Sequence, residues 1–240
     1  MKADFVQTLL GSTAETQFHA RQQLVEVAVF LFLIGPSLVL SFFLIGHGNV
    51  SFMLMAVAMI LRDLSLLSLI LFFLWRNGEP VIDIGWTLRD LRWEILLGII
   101  LFVPMTVGAA ALEKILSQIG LSSPATPLPS LEPTRSVVEM LTAVVLVTVV
   151  AVTEETIFRG YLMLRFKVFL GTSFWNVLLC AFIFSLGHGY EGSAGVVTVG
   201  AMGLVFGLVY MWRKSLVAPI TMHFLQDFIG IVCLPLLGGK

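Results

Sequence analysis

The sequence predicts an all-α fold, a polytopic transmembrane helical bundle of about seven to eight spans. Two observations carry this. Of the 240 residues 58% are hydrophobic and only 12% are charged, with a mean hydropathy of +0.99; a soluble domain carries roughly 25% charged residues. The apolar residues also fall in runs that can cross a hydrocarbon layer, which takes about 20 residues per helix. A water-soluble enzyme of this length could not bury so much apolar surface, and a disordered chain would not contain it. The net charge of −1 gives no electrostatic basis for binding nucleic acid.

The elements follow in order. Residues 1–24 form a polar segment with Lys2, Asp4, Glu15 and Arg21, without the early apolar run and small-residue cleavage site of a signal peptide. Residues 25–135 hold the N-terminal transmembrane helices and loops. The first span is Val25–Gly46, where Gly35-Pro36 predicts a kink. The second, Phe52–Trp75, carries Arg62 and Asp63; these point about 100° apart and are expected to pair with other helices. The third is Trp93–Leu112. Between them, Arg76–Arg92 is charged and turn-rich, with Trp86 and Trp93 suited to the membrane interface. Glu113–Arg135 contains Pro124, Pro127, Pro129 and Pro133 and divides the chain. Residues 136–237 carry the remaining spans: one from Ser136 through Val150 towards Arg165, then Ser173–His188, Ala194–Trp212 and Leu216–Leu237. A tail, 238–240, closes the chain.

Lysine and arginine set the orientation. With the N-terminus inside, Lys2, Arg21, Arg76, Arg89, Arg92, Arg159, Arg165, Lys167, Arg213 and Lys214 are inner, against Lys114, Arg135 and Lys240 outer. A bacterial inner membrane with a cytoplasmic N-terminus is the expected location. Cys180 and Cys233 lie in apolar runs without ligand spacing and read as buried small residues. The sequon Asn49-Val50-Ser51 reads as chance. Gly203 and Gly207 form a small-xxx-small pair that lets another helix approach, within the chain or between chains.

Three groups of residues do not belong in lipid, where charged side chains are costly and mark function. In Thr153-Glu154-Glu155-Thr156-Ile157-Phe158-Arg159, Glu155 and Arg159 share a helix face and can pair. Glu154 lies about 100° round the helix, which leaves one carboxylate anchored and one free to work. The second group is Phe184-Ser185-Leu186-Gly187-His188. The third is His223-Phe224-Leu225-Gln226-Asp227, with His223 and Asp227 again one turn apart. Measured from an inner turn near Lys167–Gly171, Glu154 and His188 lie about 18 and 24 Å deep. They can therefore face each other if the fourth helix continues past Glu154.

A glutamate with histidines beside water can deprotonate it, and polar donors can hold a developing oxyanion. Those are the parts for peptide hydrolysis. The set His188, His223, Glu154 and Asp227 could instead hold Zn²⁺ with a bound water as nucleophile, although no His-Glu-x-x-His motif is present. A non-proteolytic transporter, immunity factor or scaffold would use the same groups for binding or proton relay.

Glu154-Glu155-x-x-x-Arg159, Phe184-x-x-x-His188 and His223-x-x-x-Asp227 resemble, in order and spacing, the three motifs of the CAAX-protease and bacteriocin-processing (CPBP, Abi) intramembrane endopeptidases. The resemblance covers about Ser136–Leu237. It implies a helical fold with a water-filled cavity within the bilayer, and glutamate-dependent hydrolysis without a metal cofactor. Glu154 and His188 would activate the water, and His223 with residue 227 would polarise the scissile carbonyl. Arg159, Glu155 and Phe184 would support the site. The implied partners are membrane lipids and a membrane-associated or lipidated peptide substrate. The prenyl-protein members carry Asn in the third motif. Asp227 departs from them, because an ionised carboxylate repels an oxyanion. It must be protonated, orient His223 as an acceptor, or ligate a metal.

Overall fold

The computed structural model describes residues 21–36, 38–39, 51–122, 133 and 136–237. Expectations for the polar segment up to residue 20, the later part of the first span, Asn49 of the sequon, most of the proline-rich loop and the tail lie outside the described residues.

Among the described residues the fold is all-helical, with no strand. Helix α1 covers residues 21–36 and α2 is Phe52–Asn77, followed by a 3₁₀ turn, Val81–Ile84. Helix α3 is Leu91–Gln118. Helix α4 runs without a break over Val137–Leu170, with a π-helical stretch at Thr156–Leu162. Helix α5 is Phe174–Leu186, α6 is Gly192–Arg213, and α7 is Val217–Asp227, prolonged by a π stretch, Phe228–Cys233, and a last turn, Leu234–Leu237.

Five of these helices are long and apolar enough to cross a membrane: α2, α3, α4, the segment containing α6, and α7. This is fewer than the seven to eight spans expected. The first span is described only over 21–36 and 38–39. Helix α5 has 13 residues, about 20 Å at 1.5 Å per residue, against a hydrocarbon thickness of about 30 Å. Gly187, His188 and Gly189 stop it early. That stop places His188 at a helix end instead of beyond a full crossing.

Local rules account for the boundaries. Ser51 caps α2 by accepting from Leu54 N, and Gly78 ends it with φ 69°. Gly85, at φ 85°, closes the 3₁₀ turn, and its carbonyl accepts from Leu216 N at 3.0 Å. This ties the turn to the start of α7. Helix α6 packs along α5 at the two predicted glycines. A Cβ on Gly203 would lie 2.9 Å from Phe184 Cδ1, and one on Gly207 would lie 2.5 Å from Val177 Cγ1. The small-residue face is thus used within the chain.

The outer faces carry exposed Phe32, Leu54, Trp75, Trp93, Val137, Trp175 and Phe182. So much exposed apolar surface on long apolar helices is that of an integral membrane protein. The charged residues gather near helix ends. Arg165 pairs bidentately with Glu79 at 2.7 and 2.6 Å and also faces Glu26 at 3.3 Å. Arg76 and Asn77 bind the same Glu26. Arg213 pairs with Glu94 at 2.9 and 2.7 Å. Cys180 is buried, as expected, and Cys233 is half-buried.

The π stretch of α4 is where the 3₁₀ turn docks. Trp86 Nε1 donates to Thr156 Oγ1 at 3.0 Å, and Thr156 Oγ1 donates to Val152 O at 2.6 Å. Gly160 lets the backbone of Ile84 approach, since a Cβ there would sit 2.8 Å from Ile84 O. Backbone cannot yield as a flexible side chain can. Gly160→Ala is expected to cost about 1–3 kcal/mol, read as a lower melting midpoint in detergent. An unchanged midpoint would show that the turn does not brace α4.

Candidate active site

The three motif groups converge on one side chain. His223, on α7, is buried with 5% of its surface exposed. Its Nδ1 lies 2.9 Å from Glu155 Oε1. Its Nε2 lies 3.4 Å from Asp227 Oδ2 and 3.8 Å from Glu154 Oε2. One imidazole therefore touches all three carboxylates. Because Glu155 is an acceptor, it holds a proton on Nδ1, and Nε2 faces the carboxylates of Asp227 and Glu154.

Glu155 is the anchored carboxylate, as its spacing from Arg159 predicts. Arg159 Nη1 donates to Glu155 Oε1 at 2.8 Å and Arg159 Nη2 donates to Gly203 O at 3.1 Å. Both side chains are almost wholly buried, Glu155 at 0% and Arg159 at 1%. The guanidinium also lies over Phe184 and Phe206, 4.3 and 5.1 Å from the ring centroids. Gly203 makes room for it: a Cβ there would stand 3.0 Å from Arg159 Nη2. A buried arginine needs such an arrangement, with its charge paired and its faces covered.

Glu154 is placed differently. Its side chain is 17% exposed, and its Oε2, like Glu155 Oε2, has no hydrogen-bond partner among the described residues. Nearby Thr153 Oγ1 is likewise unpartnered. Buried polar atoms of this kind call for a donor that the protein does not supply, and a small polar molecule such as water meets the need. Asp227, at 24% exposed, lies on the open side with Glu154.

His188 joins the group less directly. Its Nδ1 donates to Phe184 O at 3.2 Å, within its own helix end. The Phe184 ring sits 4.8 Å from the His188 ring and 6.0 Å from the His223 ring. Phe184 is therefore the spacer that holds the two imidazoles at a set separation, while also lying under Arg159. The partners of His188 put its proton on Nδ1, so Nε2 is the open nitrogen.

Sequence reasoning missed three contributors. Phe206 stacks on His223 with centroids 5.6 Å apart and interplanar angle 17°, but one aromatic among the apolar residues of α6 carries no signal. The Trp86–Thr156 bond comes from a loop far away in sequence. Arg62 and Asp63 were expected to pair with other helices, yet they pair with each other, both Arg62 Nε and Nη2 lying 2.8 Å from Asp63 Oδ1. The long arginine stem bends back across the 100° that separates the two positions.

Among the described residues no group of three or more His, Cys, Asp or Glu side chains could hold a metal ion, so His188, His223, Glu154 and Asp227 do not form such a group. His223 Nδ1 is held by Glu155 and His188 Nδ1 by Phe184 O.

The family model of Rce1-like type II CAAX prenyl endopeptidases matches residues 136–229, under half of the chain. Over those residues the chain is similar to that family. The match spans all three motifs of the CAAX-protease family and agrees with the resemblance they carry. No curated protein and no solved structure matches the chain. Similarity to this family points to a protease.

Arg159→Ala would leave Glu155 buried beside His223 without its cation. The expected cost is about 3–5 kcal/mol of stability, seen as a lower melting midpoint together with lost activity. Normal melting with selective loss of activity would contradict the structural role.

Proposed function

We propose that the protein is an intramembrane endopeptidase that hydrolyses a peptide bond of a membrane-associated or lipidated, CAAX-like substrate. The observation that carries this is the division of labour between adjacent glutamates: Glu155 is fully buried with Oε1 bonded to both Arg159 and His223, while Glu154 is 17% exposed and faces His223 Nε2 at 3.8 Å.

In this reading Glu154 takes a proton from a water molecule, and the water oxygen attacks the scissile carbonyl carbon. The carbonyl π electrons move onto oxygen. When the tetrahedral intermediate collapses, the C–N bond breaks, and the proton held by Glu154 passes to the leaving nitrogen. His188 Nε2 assists at the water, and His223 Nε2 faces the reacting carbonyl. The position of Asp227, 3.4 Å from His223 Nε2, supports the role of an acceptor that orients the imidazole. It does not favour donation to an oxyanion.

The lysine and arginine bias supports a cytoplasmic N-terminus, and the compact loops support a bacterial plasma membrane. No recognition domain is evident, so specificity would reside in helix faces and short loops. The zinc-dependent alternative has less support, because no group of three or more His, Cys, Asp or Glu side chains that could hold a metal ion is found among the described residues.

The test is cleavage in proteoliposomes of prenylated and unprenylated hydrophobic peptides, with termini read by mass spectrometry. Wild type is expected to generate new termini with or without chelator. Glu154→Gln is expected to lose at least about 10³-fold in turnover while melting normally, a loss at the upper end of that seen when acid–base groups are removed. Turnover by Glu154→Gln would overturn the assignment of the base, and chelator-abolished turnover would restore the metal.

A further inference from the structure

Arg62 and Asp63 take no part in the reaction as drawn above, yet they are built into the site from α2. Asp63 belongs to the buried stripe of α2 that runs Phe52, Ala56, Asp63, Ile70, Phe73 and Leu74. Below Asp63 this stripe packs with Ala143, Leu146 and Val150 of α4, and above it with Ile157 and Tyr161. Glu154 lies between those two stretches of α4. Asp63 therefore stands at the level of Glu154. The electrostatic neighbours agree: Arg62 interacts with Glu154 and Tyr190, and Asp63 with Glu154 and His223.

Arg62 is held on one side only. Its Nε and Nη2 point to Asp63 Oδ1, while Nη1 makes no hydrogen bond among the described residues. Its side chain is 44% exposed and that of Asp63 2%. A guanidinium near the middle of a spanning helix would cost several kcal/mol if it faced lipid. Off its own helix, its electrostatic neighbours are Glu154 and Tyr190. The brace matters because an arginine stem is otherwise mobile, and Asp63 fixes the plane of the fork.

The site is short of donors for a negative oxygen. Asp63, Glu154, Glu155 and Asp227 are all carboxylates. Arg159 is buried and spent on Glu155 and Gly203, and His223 is engaged at both nitrogens, Nδ1 by Glu155 and Nε2 beside Asp227. A carbonyl oxygen that gains negative charge among these groups needs a preorganised cation. The geometry points to Arg62, braced by Asp63, as the residue whose free N–H groups bind the oxygen of the scissile carbonyl as it becomes anionic.

This inference rests on the endopeptidase reading, and the experiment separates the two. Peptides ending in a free carboxylate or an amide are cleaved in proteoliposomes by wild type, Arg62→Gln and Arg62→Lys, each checked by melting. Arg62→Gln is expected to lose about 10²–10³-fold in kcat, as loss of one oxyanion donor does. KM should be little changed and the loss equal for both peptides, with Arg62→Lys recovering part of it. A second arm measures binding of a phosphonate peptide, a tetrahedral anion, to Glu154→Gln protein. Adding Arg62→Gln should weaken it at least tenfold without weakening the parent peptide. Should Arg62→Gln fail to fold, Asp63→Asn, which removes the brace and keeps the cation, should give a smaller fall in kcat at constant KM. A kcat within threefold of wild type in the folded variants, or phosphonate binding indifferent to Arg62, would overturn the proposal. A rise in KM confined to the free-acid peptide would also overturn it, making Arg62 a reader of a terminal carboxylate instead. Absence of cleavage by wild type is a failure of the endopeptidase reading, and the phosphonate arm still decides on Arg62.

Discussion

The site is organised around one carboxylate oxygen, Glu155 Oε1. It accepts from Arg159 at 2.8 Å and from His223 at 2.9 Å, with none of its side chain exposed. A buried carboxylate survives only if it is paired and hydrogen-bonded, and here both partners come at a cost in packing. Arg159 requires Gly203 on α6 and the faces of Phe184 and Phe206. His223 requires α7 to lie against α4. The Glu155 anchor thus fixes how α4, α5, α6 and α7 meet. It leaves Glu154 as the partly exposed glutamate beside His223 Nε2.

The shape of α4 serves the same end. A helix of 34 residues would span about 51 Å, so its middle can lie deep while its end, with Arg165, reaches the charged loop at Glu79. The π stretch begins immediately after Glu155, a position where such widenings often mark function. It turns Thr156, Arg159 and Gly160 towards separate neighbours: Trp86, Glu155 and Ile84. Helix α5 does the opposite by stopping short, which brings His188 to the site at the end of a helix.

Much of this was legible in the sequence because charge in an apolar run is conspicuous. The all-helical membrane fold, the Glu155–Arg159 pair, the approach of a helix to Gly203 and Gly207, and the meeting of His223 with Asp227 all follow from spacing of three or four residues on a helix. What was not legible depends on tertiary placement. Nothing at Phe206 distinguishes it from other apolar residues of α6, and the reach of Trp86 to Thr156 crosses 70 residues. That His223 Nδ1 would turn to Glu155 is also invisible, since sequence spacing relates His223 only to Asp227. The run Ser173–His188 yields a helix of only 13 residues, because two glycines flanking His188 end it.

The measurement that reaches the central claim most directly is a paired comparison of Glu154→Gln with Glu155→Gln, each followed by melting in detergent and by peptide cleavage in proteoliposomes. Removing the charge of Glu155 should lower the melting midpoint, because Arg159 loses its partner. Removing the charge of Glu154 should leave the midpoint at or above that of wild type and silence cleavage. A stable Glu155→Gln that no longer cleaves, alongside a Glu154→Gln that still does, would exchange the two roles and contradict the account.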